Sequence, residues 1–384
     1  MSQRRLYILL FIITNVTVFY ITPIMYSFPS AKFPFYYFLL RGLLLLLSLL
    51  LLPFLFIDII KQTKRTYKSG WISLLIVFLI VFYLSEFFFT FYPETNGKND
   101  TYCSKTWMYY YWKLNNYGFR DVDFGITQPD KPVIVFAGDS YTEGHGIKDP
   151  SKRVSDVVKS RLNSFSVFNI GKNGMDINDE LDLIQHLPIH PQILVLQICS
   201  NDWDYLLDNK NSSSVFNKVM LANSQNYFLS KHSVGVNYIA SKWNNLFANL
   251  FSDRFSDSQL QLIYNQFEVD YRKAPKSNHA LDIIEFALLH SKLPEDTLQN
   301  RYFNFFKPYN PSLSIMTDTV LFNNYLSKLL EIKNFCDKQK IELIVIPYPN
   351  MDNFSMKTGN KYTNRYLCNA IARLNIKCLD VYTD

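Results

Sequence analysis

Three long apolar stretches lie before residue 93, and they restrict the chain more than anything that follows. Leu6 to Phe28 is about 23 mostly apolar residues behind a basic MSQRR start, roughly the length that crosses a bilayer core. It is too long for the apolar core of a signal peptide, and no small-x-small cleavage site follows directly, so it reads as an uncleaved helix. A second span runs from about Leu39 to Ile60 and a third from Trp71 to Tyr92. The loop between the last two carries Lys61, Lys64, Arg65 and Lys68, whereas the loop from Pro29 to Pro34 carries only Lys32. Basic loops stay on the cytoplasmic side, so the N-terminus is expected inside and everything after Tyr92 outside. Arg41 and Glu86 fall near the outer ends of their spans and are expected to snorkel to the interface.

The remainder, 93–384, is polar enough for a water-facing domain and long enough for a sizeable core. The formal charge of +6 is modest and the basic residues form no concentrated face, which argues against nucleic acid as a partner. The five cysteines (Cys103, Cys199, Cys336, Cys368 and Cys378) fit neither a CxxC pair nor a zinc spacing. They read mainly as small buried side chains, with one disulfide among Cys336, Cys368 and Cys378 as the alternative if this part lies outside the cytoplasm. No internal repeat and no long biased stretch is evident.

The aromatic segment from Tyr92 to Asp130 is predicted as loop or short strand. Beyond it, strands and helices alternate. Strands are predicted at Val133–Ala137, Ser166–Asn169, Gln192–Ile198, Glu342–Pro347 and Lys377–Tyr382. Helices are predicted at about Ser151–Leu162 (capped by Asp149 or Ser151), Ile177–Gln185, Asp318–Lys340 and Lys361–Leu374. A mostly helical insertion occupies about 205–315. Alternation of this kind implies a parallel α/β sheet with helices on both faces, in the flavodoxin-like order 2-1-3-4-5, whose crevice lies at the C-terminal strand ends.

Three turns fall at that edge: Gly138-Asp139-Ser140 after strand one, Asn173-Gly174 after strand two and Ser200-Asn201-Asp202 after strand three. Ser140 stands where a nucleophile would, and also where a mere helix cap would. A developing oxyanion needs two or three donors, and the backbone N–H groups of Ser140 and Gly174 with the side-chain amide of Asn201 can supply them. Gly174 lets the backbone come close to a substrate. Asp139 and Asp202 are expected to hold their turns by hydrogen bonds.

With its segments PVIVFAGDSYTEGHGI, NIGKNGMD and CSND, the chain resembles the SGNH (GDSL) hydrolase superfamily in a membrane-anchored form. The resemblance spans about Asn115 to Asp204, including NNYGFRD, and Asp318 to Tyr382 by pattern only. Cys199 stands where the third block usually has glycine. The resemblance implies hydrolysis or transfer of an acyl ester through a Ser140 acyl-enzyme, with Gly174 and Asn201 in the oxyanion hole. Related membrane-linked proteins act on O-acyl groups of cell-envelope sugars or lipids, and no metal or organic cofactor is suggested.

The family's base is a His in a D-x-x-H block after strand five. No such block follows Asp380, and the chain ends at Asp384. A serine without a base is a poor nucleophile. His186 and His190 precede strand three and belong to the opposite edge. His145 follows Ser140 too closely for the usual angle, and His232, His279 and His290 lie in the insertion and read as surface residues. Two explanations stay open: a truncated or frameshifted enzyme, or a non-catalytic ligand-holding domain. The missing final helix, which leaves a face of strand five uncovered, favours truncation.

Overall fold

The computed structural model describes residues 3–26, 35–62, 67–94, 101–124, 131–199, 202, 231–250, 257–270, 280–306, 315–348 and 357–382. In chain order the first elements are helices α1 (Gln3–Met25), α2 (Phe35–Gln62), α3 (Tyr67–Phe91) and α4 (Tyr102–Tyr111). Strand β1 (Val133–Gly138), a single-turn helix α5 (Ser140–Glu143), helix α6 (Val154–Arg161), strand β2 (Ser166–Asn169), helix α7 (Ile177–Gln185) and strand β3 (Ile193–Ile198) follow. Then come α8 (Val234–Leu250), α9 (Asp257–Gln266), α10 (Ala280–His290), α11 (Glu295–Phe306), α12 (Thr319–Gln339), β4 (Glu342–Pro347), α13 (Lys357–Ala372) and β5 (Lys377–Cys378). They form two compact units, Met1–Lys113 with Ser213–Leu250, and Leu114–Ser212 with Phe251–Asp384.

In the first unit, α1, α2 and α3 each contain a stretch long and apolar enough to cross a membrane: Arg5–Met25, Phe35–Phe56 and Ser73–Phe91. Large side chains such as Ile12, Val16, Leu43, Leu50, Val77 and Phe78 point outward, while a small interior packs Val18, Leu45, Leu52 and Tyr83. An apolar exterior around a packed interior is the pattern of helices solvated by lipid.

Arg41 and Glu86 do not snorkel. Arg41 is 0% and Glu86 1% exposed, and Arg41 Nη2 lies 2.7 Å from Glu86 Oε2. The rest of the guanidinium donates to the Val18 carbonyl at 3.1 Å, to Thr90 Oγ1 at 3.0 Å and to the Thr22 hydroxyl. Glu86 in turn accepts from the N–H groups of Val234 at 3.0 Å and Gly235 at 2.8 Å, and from the Ser233 hydroxyl. Its carboxylate therefore caps the N-terminus of α8, where the helix dipole favours a negative charge. Farther along α8, Tyr238 and Lys242 both bond Glu94. Segment 231–250 thus belongs to the helical unit, although it falls within the stretch predicted as an insertion.

The aromatic segment after α3 holds a helix where loop or strand was predicted. Thr101 caps α4 by accepting from Ser104 N, and Cys103, Ser104, Thr106 and Trp107 are buried on one side. Packing of that side outweighs the weak helical preference of the Tyr and Trp run.

The second unit is built on a five-stranded sheet of order β2-β1-β3-β4-β5, parallel throughout. Alternate residues face opposite sides, as the pleat requires. Val135, Ala137, Leu194, Leu196, Leu343 and Val345 enter the main core with α7, α9 to α13, among them Tyr325, Leu329, Ile332, Leu367 and Ile371. Ile134, Phe136, Val167 and Val195 face the other way and pack with Val158 of α6. Four strands lie within a residue of their expected bounds, but β5 pairs only through Lys377 and Cys378. After Leu379, whose N–H still reaches the Val345 carbonyl, Asp380 accepts from the Tyr382 N–H and turns the chain. The predicted helix from Ser151 likewise starts later, because Asp149 caps a 3-10 turn at Pro150–Lys152 before α6 begins.

Cys368 of α13 and Cys378 of β5 form a disulfide across 10 residues of sequence, so the reading of these cysteines as simple core residues is corrected for this pair. Cys103, Cys199 and Cys336 are buried, and burial pushes the thiols of Cys103 and Cys336 up to about 12.

Two expectations follow. Glu86→Leu strands Arg41 without its carboxylate and should cost about 3–5 kcal/mol, with partial recovery in Arg41→Met/Glu86→Leu; thermal melting in detergent and protease cleavage near Lys231 report both effects. Reduction of Cys368–Cys378 should lower stability by about 3 kcal/mol, and non-reducing peptide mapping should join the two peptides.

Candidate active site

The first predicted turn forms at the C-terminal end of β1. Gly138 has φ +146°, and a Cβ there would fall 2.6 Å from the Gln197 carbonyl oxygen of β3. Only glycine fits where the two strands come this close. Asp139 caps α5, its Oδ1 accepting from Tyr141 N at 2.9 Å. Ser140 is half-buried, and its hydroxyl donates to Asp139 Oδ2 at 3.1 Å. That is the one hydrogen bond of Ser140 Oγ among the described residues. Tyr141 lies against Tyr348, which follows β4, with ring centroids 5.2 Å apart.

The second turn is tied to α5. Asn169, at the end of β2, donates to the Thr142 carbonyl at 2.6 Å and to Ser155 Oγ at 2.8 Å, and accepts from Gly171 N at 2.9 Å. Lys172 N donates to the Gly138 carbonyl at 3.0 Å, and Asn173 N donates to Glu143 Oε2 at 2.6 Å. A Cβ on Gly171 would meet Glu143 N at 2.5 Å, so the tight backbone approach in this loop belongs to Gly171. Gly174 is exposed and has φ +81°; its requirement for glycine is conformational.

In the third turn, Asn201 lies outside the described residues. Asp202 is 0% exposed and accepts from Cys199 N at 2.6 Å, with Cys199 Sγ 3.8 Å from its other oxygen. Its own carbonyl accepts from Ile177 N at 3.3 Å, joining the end of β3 to the start of α7. Asp139 and Asp202 both hold their turns, as expected of them. The Asp202 carboxyl is held well above its ordinary range by burial and by the Asp139 charge.

No described histidine bonds Ser140 Oγ. His145 N–H reaches the Ser140 carbonyl at 2.8 Å, and burial together with the Arg120 guanidinium lowers its imidazole, favouring the neutral ring. His186 bonds the Asp182 carbonyl, and His290 bonds the Phe286 carbonyl. His190 lines a groove at the N-terminal side of β3 with Leu187, Pro188 and Phe335. His232 Nδ1 lies 3.1 Å from the Phe19 carbonyl oxygen, which accepts from the ring N–H, within the helical unit, and His279 lies outside the described residues.

Three acidic or basic groups that the motifs do not reveal complete the surroundings. Arg120 is 2% exposed and ties down the loop after α5 by donating to the carbonyls of Gly144 and Ile147, each at 2.6 Å. Glu143 links α5 to the Gly174 loop. Glu180 is 0% exposed, and neither of its carboxylate oxygens has a hydrogen-bond partner among the described residues. One signal for Glu180 is present in the sequence: the buried stripe of α7 is Ile177, Glu180 and Ile184, so an acid occupies an apolar helical position.

Compared with known proteins, the chain matches no family model, no curated protein and no solved structure.

Burial raises the Glu143 carboxyl from 4.5 to about 7, against the opposing pull of the Asn173 N–H and Arg120. Between those values the folded state holds a proton that the unfolded state has lost, so stability falls as pH rises through this window. A raise of this size corresponds to about 3 kcal/mol. Glu143→Gln, whose amide oxygen can still accept from Asn173, should flatten that decline and stabilise the protein above pH 7. Denaturant melts of both proteins across the window measure the difference.

Proposed function

We propose that the chain is a membrane-anchored serine ester hydrolase of the SGNH/GDSL type on a flavodoxin-like sheet. Its substrates are acyl esters, with O-acyl groups of cell-envelope glycans or lipids as the class. The observation that carries this reading is the junction of β1 and α5, where Ser140 opens a helix at the C-terminal edge of the sheet with its hydroxyl on Asp139. The Gly174 loop, pinned to the end of β1 through Lys172 and to α5 through Asn173, supports it as the neighbouring source of an oxyanion donor. In this reading Ser140 Oγ attacks the ester carbonyl, the alcohol leaves, and water later releases the acid. The N–H groups of Ser140 and Gly174 and the amide of Asn201 stabilise the oxyanion. The acceptor that the Ser140 hydroxyl meets is the Asp139 carboxylate.

Basic residues in the loop before α3 orient the three spans with that loop inside, which puts the sheet unit outside the cytoplasm. The Cys368–Cys378 disulfide agrees with an oxidising compartment. A second reading, a non-catalytic ligand-holding domain, is favoured by the lack of a histidine bonded to Ser140 among the described residues.

A fluorophosphonate probe separates the two. The enzyme reading expects labelling of the full chain in detergent that Ser140→Ala abolishes. Folded protein that takes up no label, yet binds an acylated glycan saturably before and after Ser140→Ala, would overturn it.

A further inference from the structure

Beside the Ser140 turn lies a cluster of buried groups of which only Asp139 bonds the Ser140 hydroxyl. Ligand atoms of Asp139, Cys199 and Asp202 all fall within 4.8 Å of one another, and the three residues are 1%, 3% and 0% exposed. They come from the end of β1 and from the turn after β3, positions fixed by strand pairing between Gly138 and Gln197. Glu180, in the first turn of α7, is a further buried carboxylate outside this group of three. It is fully buried, and the charges acting on it most strongly are those of Asp202 and Asp139, followed by Asp176 and Asp179. Every one of them is a carboxylate.

Buried carboxylates need protons, cationic partners or a metal ion, because an unpaired ion in a low-dielectric interior is strongly disfavoured. Asp139 and Asp202 have N–H donors, from Tyr141 and Cys199, but among the described residues both oxygens of Glu180 lack one. One edge of the donor set is close to that of a metal site. Cys199 Sγ and Asp202 Oδ1 are 3.8 Å apart. Tetrahedral zinc with its usual bonds to sulfur and oxygen sets that edge at about 3.5 Å, so a shift of a few tenths of an ångström closes the site. One thiolate with carboxylates is a set that zinc accepts and that magnesium and calcium, which prefer all-oxygen shells, do not.

We propose that Asp139, Cys199 and Asp202 form a binding site for one zinc-class divalent cation. The ion neutralises the carboxylates that hold it, ties together the ends of β1 and β3, and offsets the charge of the buried Glu180 nearby. It shares Asp139 with the Ser140 hydroxyl, so its occupancy is felt at the turn without the ion itself facing the crevice. The site stands on these three side chains and does not depend on ester chemistry at Ser140.

The test uses the full chain in detergent, stripped with a chelator and titrated with Zn2+ alone by calorimetry, with elemental analysis after dialysis. One equivalent should be retained, and Cys199→Ser and Asp202→Asn should each weaken binding at least about tenfold. Co2+ loading gives a second readout on the unaltered protein. A sulfur-to-cobalt charge-transfer band should appear, persist in Cys103→Ser/Cys336→Ser and vanish in Cys199→Ser. If Cys199→Ser fails to fold, the band in the unaltered and doubly substituted proteins still decides. No retained zinc and no such band would overturn the proposal and leave protons as what neutralises the cluster. Fluorophosphonate labelling of Ser140 is read separately, so failure of the metal site and failure of the hydrolase reading are distinguishable.

Discussion

A carboxylate removed from water has to find donors or an opposite charge nearby, and both units of this chain are organised where that demand is met. In the helical unit, Glu86 is satisfied from two directions, by Arg41 within the bundle and by the N-terminus of α8. The same contacts hold α2, α3 and α8 together, since Arg41 also reaches Thr90 and carbonyl and hydroxyl oxygens of α1. Separately, either charge would be costly at that depth; paired and fully hydrogen-bonded, they set how the helices meet.

In the sheet unit the demand is met at the C-terminal strand edge. Asp139 caps α5 and takes the Ser140 hydroxyl, and Asp202 closes the turn after β3 by accepting from Cys199 N. These are backbone-fixing roles first. They leave Ser140 with one rotamer-defining hydrogen bond and set the loop carrying Gly174 against α5 through Glu143 and Asn169. The chemistry proposed for Ser140 depends on this preorganisation, because donors aimed at an oxyanion help only when they are already in position.

The strands of the sheet were legible because continuous runs such as VIVFAG and ELIVIP mark strands buried on both faces. Helix α7 falls where it was expected, Ile177–Gln185, and the structure adds Asp176 as its cap. Helix α4 was not, because TWMYYYW carries no helical preference and its fold is decided by burial of Cys103 and Trp107. The Arg41–Glu86 pair was invisible for a different reason: the partners are distant in sequence, and each alone reads as a snorkelling end residue. In the site, the turn residues could be named from motif position, yet Glu180 reads as one acid among several in INDELD. Its burial is a consequence of how α7 meets the ends of β1 and β3, which only the assembled sheet supplies.

The central claim, that Ser140 is poised as an acyl acceptor, is met most directly by rapid mixing of the full chain with p-nitrophenyl acetate. Acid quench and peptide mass spectrometry then locate the acetyl group. The account predicts a burst of p-nitrophenol and an acetyl ester on the peptide containing Ser140, cleared on standing in water. Acetylation confined to lysines, with Ser140 unmodified in folded protein, would contradict it.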